Sequence, residues 1–298
     1  MRRDLSILDR DIGQDWSRII QEAFAHGILN DMISGGLEPG QTVMQALYSV
    51  STIKNCKIGT RRVGADGRVF RYAYAGYALD SSVGCFTSDY QALAQWAEFP
   101  TSYAAGVMEI SVTAENLTDG VAFDGKFAKD VLQGGYIVMF QTGIQATTHL
   151  IAGNRALAAP GELFIQLAHP LRSPITSGEG SAEAIFSLYR DVVGFGGLEP
   201  GPVGHWVPIV GVPLCNAVLG EYSWILTWGP VHCSTSDAAV GAESGNHNVA
   251  FAGVNGSLVA EDSDADRKLQ HAGFVLAQDY HSGAPQQGSP FIMLQISP

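Results

Sequence analysis

The chain reads as a mainly β protein, a β-barrel or β-sandwich built as one body or as two β domains, with an N-terminal arm and one short amphipathic helix. Three observations point there. Short apolar runs alternate with Gly, Pro or Asn turns along most of the 298 residues, which is the rhythm of sandwiches and barrels. Helical periodicity is confined to one stretch near the N-terminus. A well-marked hairpin occupies residues 57–77, where two β-prone runs flank Asp66-Gly67.

Residues 1–14 are polar and charged without regular pattern and read as an extended arm. Trp16, Ile19, Ile20, Ala23, Phe24, Gly27 and Ile28 then recur at helical spacing, with Asp15 as N-cap and Ser34-Gly35-Gly36 as the stop. A helix is therefore expected over 16–33, and residues 1–56 form an arm-and-helix segment. Residues 42–50 fit a short helix or a strand equally well.

The β-rich body is expected over 57–215. In the hairpin, Arg68, Phe70 and Tyr72 share one face, and Val69, Arg71 and Ala73 the other. Strands are expected at 107–115, 120–123, 126–132, 136–140 and 162–168, with a turn at Gly153-Asn154. Residues 169–214 are rich in proline and glycine and read as long loops, with one strand around 185–189. A soft boundary falls near 213–220. The stretch 216–298 is a C-terminal β domain or a continuation of the same barrel. It holds a strand at 221–228 ended by Gly229-Pro230, a hairpin turning at Asn255-Gly256, and two closing strands.

Composition narrows the function classes. Only 15% of residues are charged against 46% hydrophobic, where about 25% charged is usual. So little charge means either surface hidden in subunit interfaces or a surface kept wet by Ser, Thr, Asn and Gln. A net charge of −12 argues against direct binding of nucleic acid, which needs clustered Lys and Arg. The start MRRDLSILDRDIGQDW lacks an apolar signal-peptide core, and runs such as YIVMF are too short to span a bilayer. The chain is expected to be made in a cytoplasm and to have no membrane partner.

No pattern specifies catalysis or a cofactor. Cys56, Cys85, Cys215 and Cys233 form no CxxC pair, and the eight histidines show no HxH or HExxH spacing. The cysteines are expected to be buried, small apolar residues, and no metal site is expected. Phosphate-loop and nucleophile-elbow patterns are absent from the sequence. The run from Glu261 to Asp266 fails the EF-hand pattern, because Arg267 and Gly273 stand where Gly and Glu are required. Tyr222, Trp224, Leu226 and Trp228 share a strand face. That stripe could stack on a sugar or base, and with Leu226 in it reads better as core or subunit contact.

Three blocks resemble a known group. They are LYSVS with IGTRRVGADGRVFRYAYAG at 47–76, EYSWILTWGPV at 221–231, and HAGFVLAQ with FIMLQISP at 271–298. Together they resemble tailed-bacteriophage virion structural proteins of the head decoration or cement type. The resemblance implies a β-rich fold, a place on the capsid surface, the major capsid protein lattice as partner, and no catalysis or cofactor. A lattice clamp of this kind is expected to be a homotrimer. Its expected contact residues are Arg61, Arg62, Arg68, Phe70, Arg71, Tyr72, Tyr222, Trp224 and Trp228. The alternatives are another phage subunit (major capsid, tail tube or head fibre), or a carbohydrate-binding or hydrolytic β protein using Glu109 or Glu162.

Overall fold

The computed structural model describes residues 45–87, 97–114, 125–141, 144–194, 208–235, 240–241, 247–252, 255–261, 269–277 and 290–298. The expected arm (1–14), the helix (16–33) and the strand at 120–123 lie outside them. Among the described residues the structure is all β, with no helix. Three strands open it: β1 (Arg61–Val63), β2 (Val69–Tyr74) and β3 (Cys85–Thr87). Next come β4 (Ala97–Glu98), β5 (Glu109–Thr113), β6 (Tyr136–Gln141), β7 (Ile144–Asn154), β8 (Glu162–Leu167) and β9 (Gly180–Ile185). The last group is β10 (Val192–Val193), β11 (Ile209–Pro213), β12 (Tyr222–His232), β13 (Asn248–Phe251), β14 (Leu258–Ala260), β15 (Gln270–Ala277) and β16 (Phe291–Gln295).

The middle group forms one antiparallel sheet in the order β4-β9-β6-β7-β8-β5. Its end strands β4 and β5 come into contact, so the sheet is a nearly closed barrel. The strand period of two explains its core. On β8, Leu163, Ile165 and Leu167 point inward while Glu162 and Gln166 stay exposed. They meet Ile110, Val112, Ile137, Met139 and Ile151 from the neighbouring strands.

The other ten strands form a half-barrel sheet with β12 as its spine. Along one edge of β12, β2 pairs from Tyr222 to Trp228. Along the other edge β11 meets Ile225 and Leu226, and β16 takes over from Trp228 to His232. Phe70, Tyr72, Phe86, Trp224, Leu226, Phe251 and Leu294 fill its concave side. A smaller cluster, with Ala73, Ala75, Leu79, Val210 and Ile225, covers the opposite side.

The hairpin forms as its Asp-Gly turn predicts. Arg61, Arg62 and Val63 pair with Arg71, Phe70 and Val69. Gly64 N–H donates to Arg68 O at 2.8 Å, and Asp66 Oδ1 accepts the Arg68 N–H at 3.2 Å. Gly67 supplies the left-handed turn position, at φ 82°.

The stretch 216–298, left open between a separate domain and a continuation, continues the sheet that begins at β1, because β11 and β12, either side of the 213–220 connection, are direct partners. Several other elements differ from the sequence reading. The six-stranded barrel is inserted between β3 and β10. Those two strands pair with each other, Thr87 with Val192 and Phe86 with Val193, so the ends of the insertion lie side by side. β12 does not stop at Gly229-Pro230. Beyond Val69 the β2 edge has no partner strand among the described residues, which is where a sheet tolerates proline. Residues 126–132 form turns, with one bridge from Phe127 to Leu157, rather than a strand. β7 runs on through Gly153 and ends at Asn154, and β9 ends at Ile185, before the strand expected around 185–189. Cys56, Cys85 and Cys233 are buried and Cys215 is half-buried, all four outside any disulfide. Burial pushes the Cys233 thiol up to about 12, which leaves it inert.

The two sheets abut where the turn before β6 meets the turn leading into β1. Gly134 has φ 77°, and a Cβ there would sit 2.8 Å from Ile58 O. Nearby, Tyr74 N–H donates to Tyr189 O at 3.0 Å and Gly76 N–H to Val192 O at 2.9 Å. A paired substitution separates backbone strain from crowding. Gly67→Ala, at φ 82° with open space around it, should cost about 1 kcal/mol. Gly134→Ala should cost at least about 2 kcal/mol, because the neighbouring backbone must also move. Urea denaturation of both variants checks this, and equal shifts would show that the sheets do not meet at Ile58.

Candidate functional site

The hairpin strand β2 has two faces with different company. Tyr72 and Phe70 turn inward. The Tyr72 ring stacks on Tyr222 at 5.8 Å and meets Trp224 edge-on at 5.1 Å. Gln45, itself buried, joins these groups. Its Oε1 accepts the Tyr72 hydroxyl at 2.8 Å and the Asn55 amide at 3.3 Å. Its Nε2 donates to Ser49 O at 2.7 Å and Tyr222 O at 2.9 Å. Its backbone carbonyl accepts Trp224 Nε1–H and Arg62 Nη1–H, both at 3.0 Å. Burial pushes the Tyr72 phenol well above its ordinary range, so it stays a neutral donor.

The nine expected contact residues divide accordingly. Phe70, Tyr72 and Trp224 are wholly buried in the chain's own core. They are packing residues and offer nothing to an outside partner. Leu226 is equally buried, so the aromatic stripe is core at its centre, with Tyr222 and Trp228 half-buried at its ends. Arg62 lies over the Trp224 ring at 5.6 Å. Arg68 lies over Phe70 at 5.4 Å, donates from Nε to Asp66 Oδ2 at 2.6 Å and from Nη2 to the Tyr48 hydroxyl at 2.9 Å. Both arginines are thus engaged within the chain. Arg61 is exposed and has no hydrogen bond or ion pair among the described residues.

Arg71 goes the other way. The period of two that sends Phe70 and Tyr72 inward points Arg71 toward the inserted barrel. There it lines a cleft of about 440 Å³ between the two sheets. The walls come from Lys57–Thr60 before β1, Gln133 and Gly134, Tyr136 on β6, Leu150–Ala152 on β7, Ala168, Leu188, Tyr189 and Ser297. The Arg71 guanidinium sits 5.9 Å from the Tyr189 ring centroid. Its Nη1 donates to Gly59 O at 3.3 Å, and its Nε is buried with no acceptor among the described residues. Burial raises the Tyr189 phenol, with Arg71 pulling in the opposite direction. The cleft was not foreseen in the sequence reading. Its one local signal was an arginine in the middle of a strand that is otherwise apolar and aromatic.

The carboxylates proposed for a hydrolytic alternative do not converge. Glu109 pairs with Arg155, its Oε2 accepting Arg155 Nε–H at 3.1 Å, and Glu162 Oε2 accepts the Ser111 hydroxyl at 3.1 Å. The ladder sets Glu109 opposite Gln166 and Glu162 opposite Thr113. That is a separation of about 13 Å along the strands, beyond the reach of an acid–base pair on one glycosidic bond. Of the acidic run, Glu261 is described and lies 2.9 Å from His271 Nδ1. Among the described residues no three His, Cys, Asp or Glu side chains gather into a metal-binding group. Comparison with family models, with curated proteins and with solved structures finds no match.

The Gln45 network makes a stability prediction. Tyr72→Phe removes one donor and the acceptor of the Asn55 N–H, which lies 3.1 Å away, and should cost about 1–3 kcal/mol. Gln45→Met should cost a similar amount. The double variant should lose less than the sum, because the two side chains satisfy each other. Additive losses in urea denaturation would show that the two groups act independently.

Proposed function

We propose that the protein is a non-enzymatic virion structural subunit of the capsid decoration or cement type. In this reading it binds the assembled phage head as a homotrimer and ties neighbouring capsomers of the major capsid protein together. The observation that carries the reading is a set of exposed apolar side chains on three adjoining loops of the half-barrel. Val218 and Leu219 are 62% and 65% exposed, and Ile53, Val50 and Tyr77 are exposed beside them. Backbone bonds hold the loops together. Ser51 and Tyr222 exchange N–H···O bonds at 3.0 and 2.7 Å, Ala75 N–H donates to Glu221 O at 2.8 Å, and Leu79 N–H donates to Ala217 O at 2.8 Å. Isolated exposed apolar residues are ordinary, whereas a group on a rigid rim marks a contact surface.

Such a surface suits an assembly role. Each loop end is anchored to a ladder, so its apolar tips are presented with little ordering cost on binding. Three copies engaging a repeating lattice multiply modest single contacts. The alternative of another phage subunit, a major capsid, tail tube or head fibre protein, would use the same surface against a different partner.

Stoichiometry tests this directly. The protein should co-purify with intact particles in fixed ratio to the shell protein, and its solution mass should be that of a trimer. Leu219→Asp with Val218→Asp should lower particle occupancy at least about tenfold while leaving thermal stability nearly unchanged. Wild-type protein found only in the free fraction, or undiminished occupancy in the double variant, would refute the assignment.

A further inference from the structure

We infer that the cleft between the two sheets is a binding site for a small organic anion, a carboxylate carried on an apolar or aromatic body. This goes beyond the proposed assembly role and uses a different face of the molecule. Four observations support it. The volume of about 440 Å³ lies within the range of small-ligand sites, roughly 300–1,000 Å³. Tyr136, Leu150 and Leu188 are among the large apolar side chains that stay exposed on folding, and all three line this cleft. Tyr136 and Leu150 are direct cross-strand partners, so they form one continuous wall.

The third observation is Arg71. Among the described residues Nη1 of the guanidinium has an acceptor, Gly59 O, while Nε is buried with none. A buried donor without an acceptor is costly, and its persistence points to a role. Arg68, on the same hairpin, uses its donors within the chain, from Nε to Asp66 and from Nη2 to Tyr48. Arg71 is also rigidly placed, because its backbone is paired with Arg61 on one side and Ile225 on the other. A fixed planar guanidinium matches a carboxylate in two-point geometry.

The fourth is charge. In a chain of net charge −12, the described residues of the cleft wall include two cations, Lys57 and Arg71, and no Asp or Glu. The wall thus combines two cations with apolar and aromatic surface, the two elements of a recognition site for an apolar acid. Tyr189 beneath the guanidinium adds a ring on which such a body can stack.

Ligand-observed NMR titration of the full chain tests this with 3-phenylpropanoate, its uncharged analogue 3-phenylpropanamide, and inorganic phosphate. The acid should bind, and the amide and phosphate should bind at least about tenfold more weakly. The acid should also shift the Arg71 Nε–H resonance, assigned by its loss in Arg71→Gln. That variant should lose binding of the acid, and Arg71→Lys should retain part of it. Should Arg71→Gln fail to fold, Leu188→Glu serves instead. It places a carboxylate on the half-exposed wall and should abolish binding of the acid without unfolding the protein. No binding of the acid, equal binding of acid and amide, or unchanged binding in Arg71→Gln or Leu188→Glu would overturn the assignment.

Discussion

One buried amide organises the half-barrel. Gln45 has little exposed surface, so its polar atoms must find partners inside the protein. They do so on β2 and β12 and on the segment leading to them. This locks the aromatic ladder of Tyr72, Tyr222 and Trp224 into one arrangement. With Tyr72 and Phe70 committed to the core, the strand period leaves Arg71 and Ala73 on the opposite face. The cation in the inter-sheet cleft is therefore a consequence of core packing one residue away. A slip of one position would turn the arginine into the aromatic core and crowd the aromatics into a side built for alanines.

The parts of the fold that local chemistry dictates were legible in the sequence. The 57–77 hairpin follows from Asp66-Gly67 between β-prone runs, and the 248–260 hairpin from Asn255-Gly256. Alternation at 109–113 and 162–167 marked two strands of one barrel wall. Sheet membership was not legible. Nothing local to 85–87 announces a partner at 192–193, and Gly229-Pro230 reads as a stop although β12 continues through it. Whether a proline ends a strand depends on whether the neighbouring edge is occupied, and that is a tertiary fact.

The candidate sites show the same division. Arginines and aromatics on the hairpin drew notice as contact residues because both types are common in interfaces. Burial separates them: Phe70, Tyr72 and Trp224 pack the core, while Arg62 and Arg68 are tied to the chain's own groups. The exposed apolar loops and the cleft draw residues from distant positions, Tyr77 with Leu219 and Arg71 with Leu150 and Leu188. No sequence window spans either set. The two surfaces also differ in character. The loops offer exposed apolar contact suited to the proposed capsid partner, and the cleft is concave and carries two cations.

The ladder between β3 and β10 has a consequence for how the chain is made. A ribosome delivers β1 to β3 first, but β3 meets β10 only after residues 88–191 have emerged. The inserted barrel has all its own strands by then and can complete itself during synthesis. The half-barrel must instead hold its early strands with unpaired edges through that interval, and such edges invite association with other nascent chains. Its assembly is thus gated by translation time, and the finished barrel, by bringing residues 97 and 185 close to their final positions, shortens the search that closes the outer sheet.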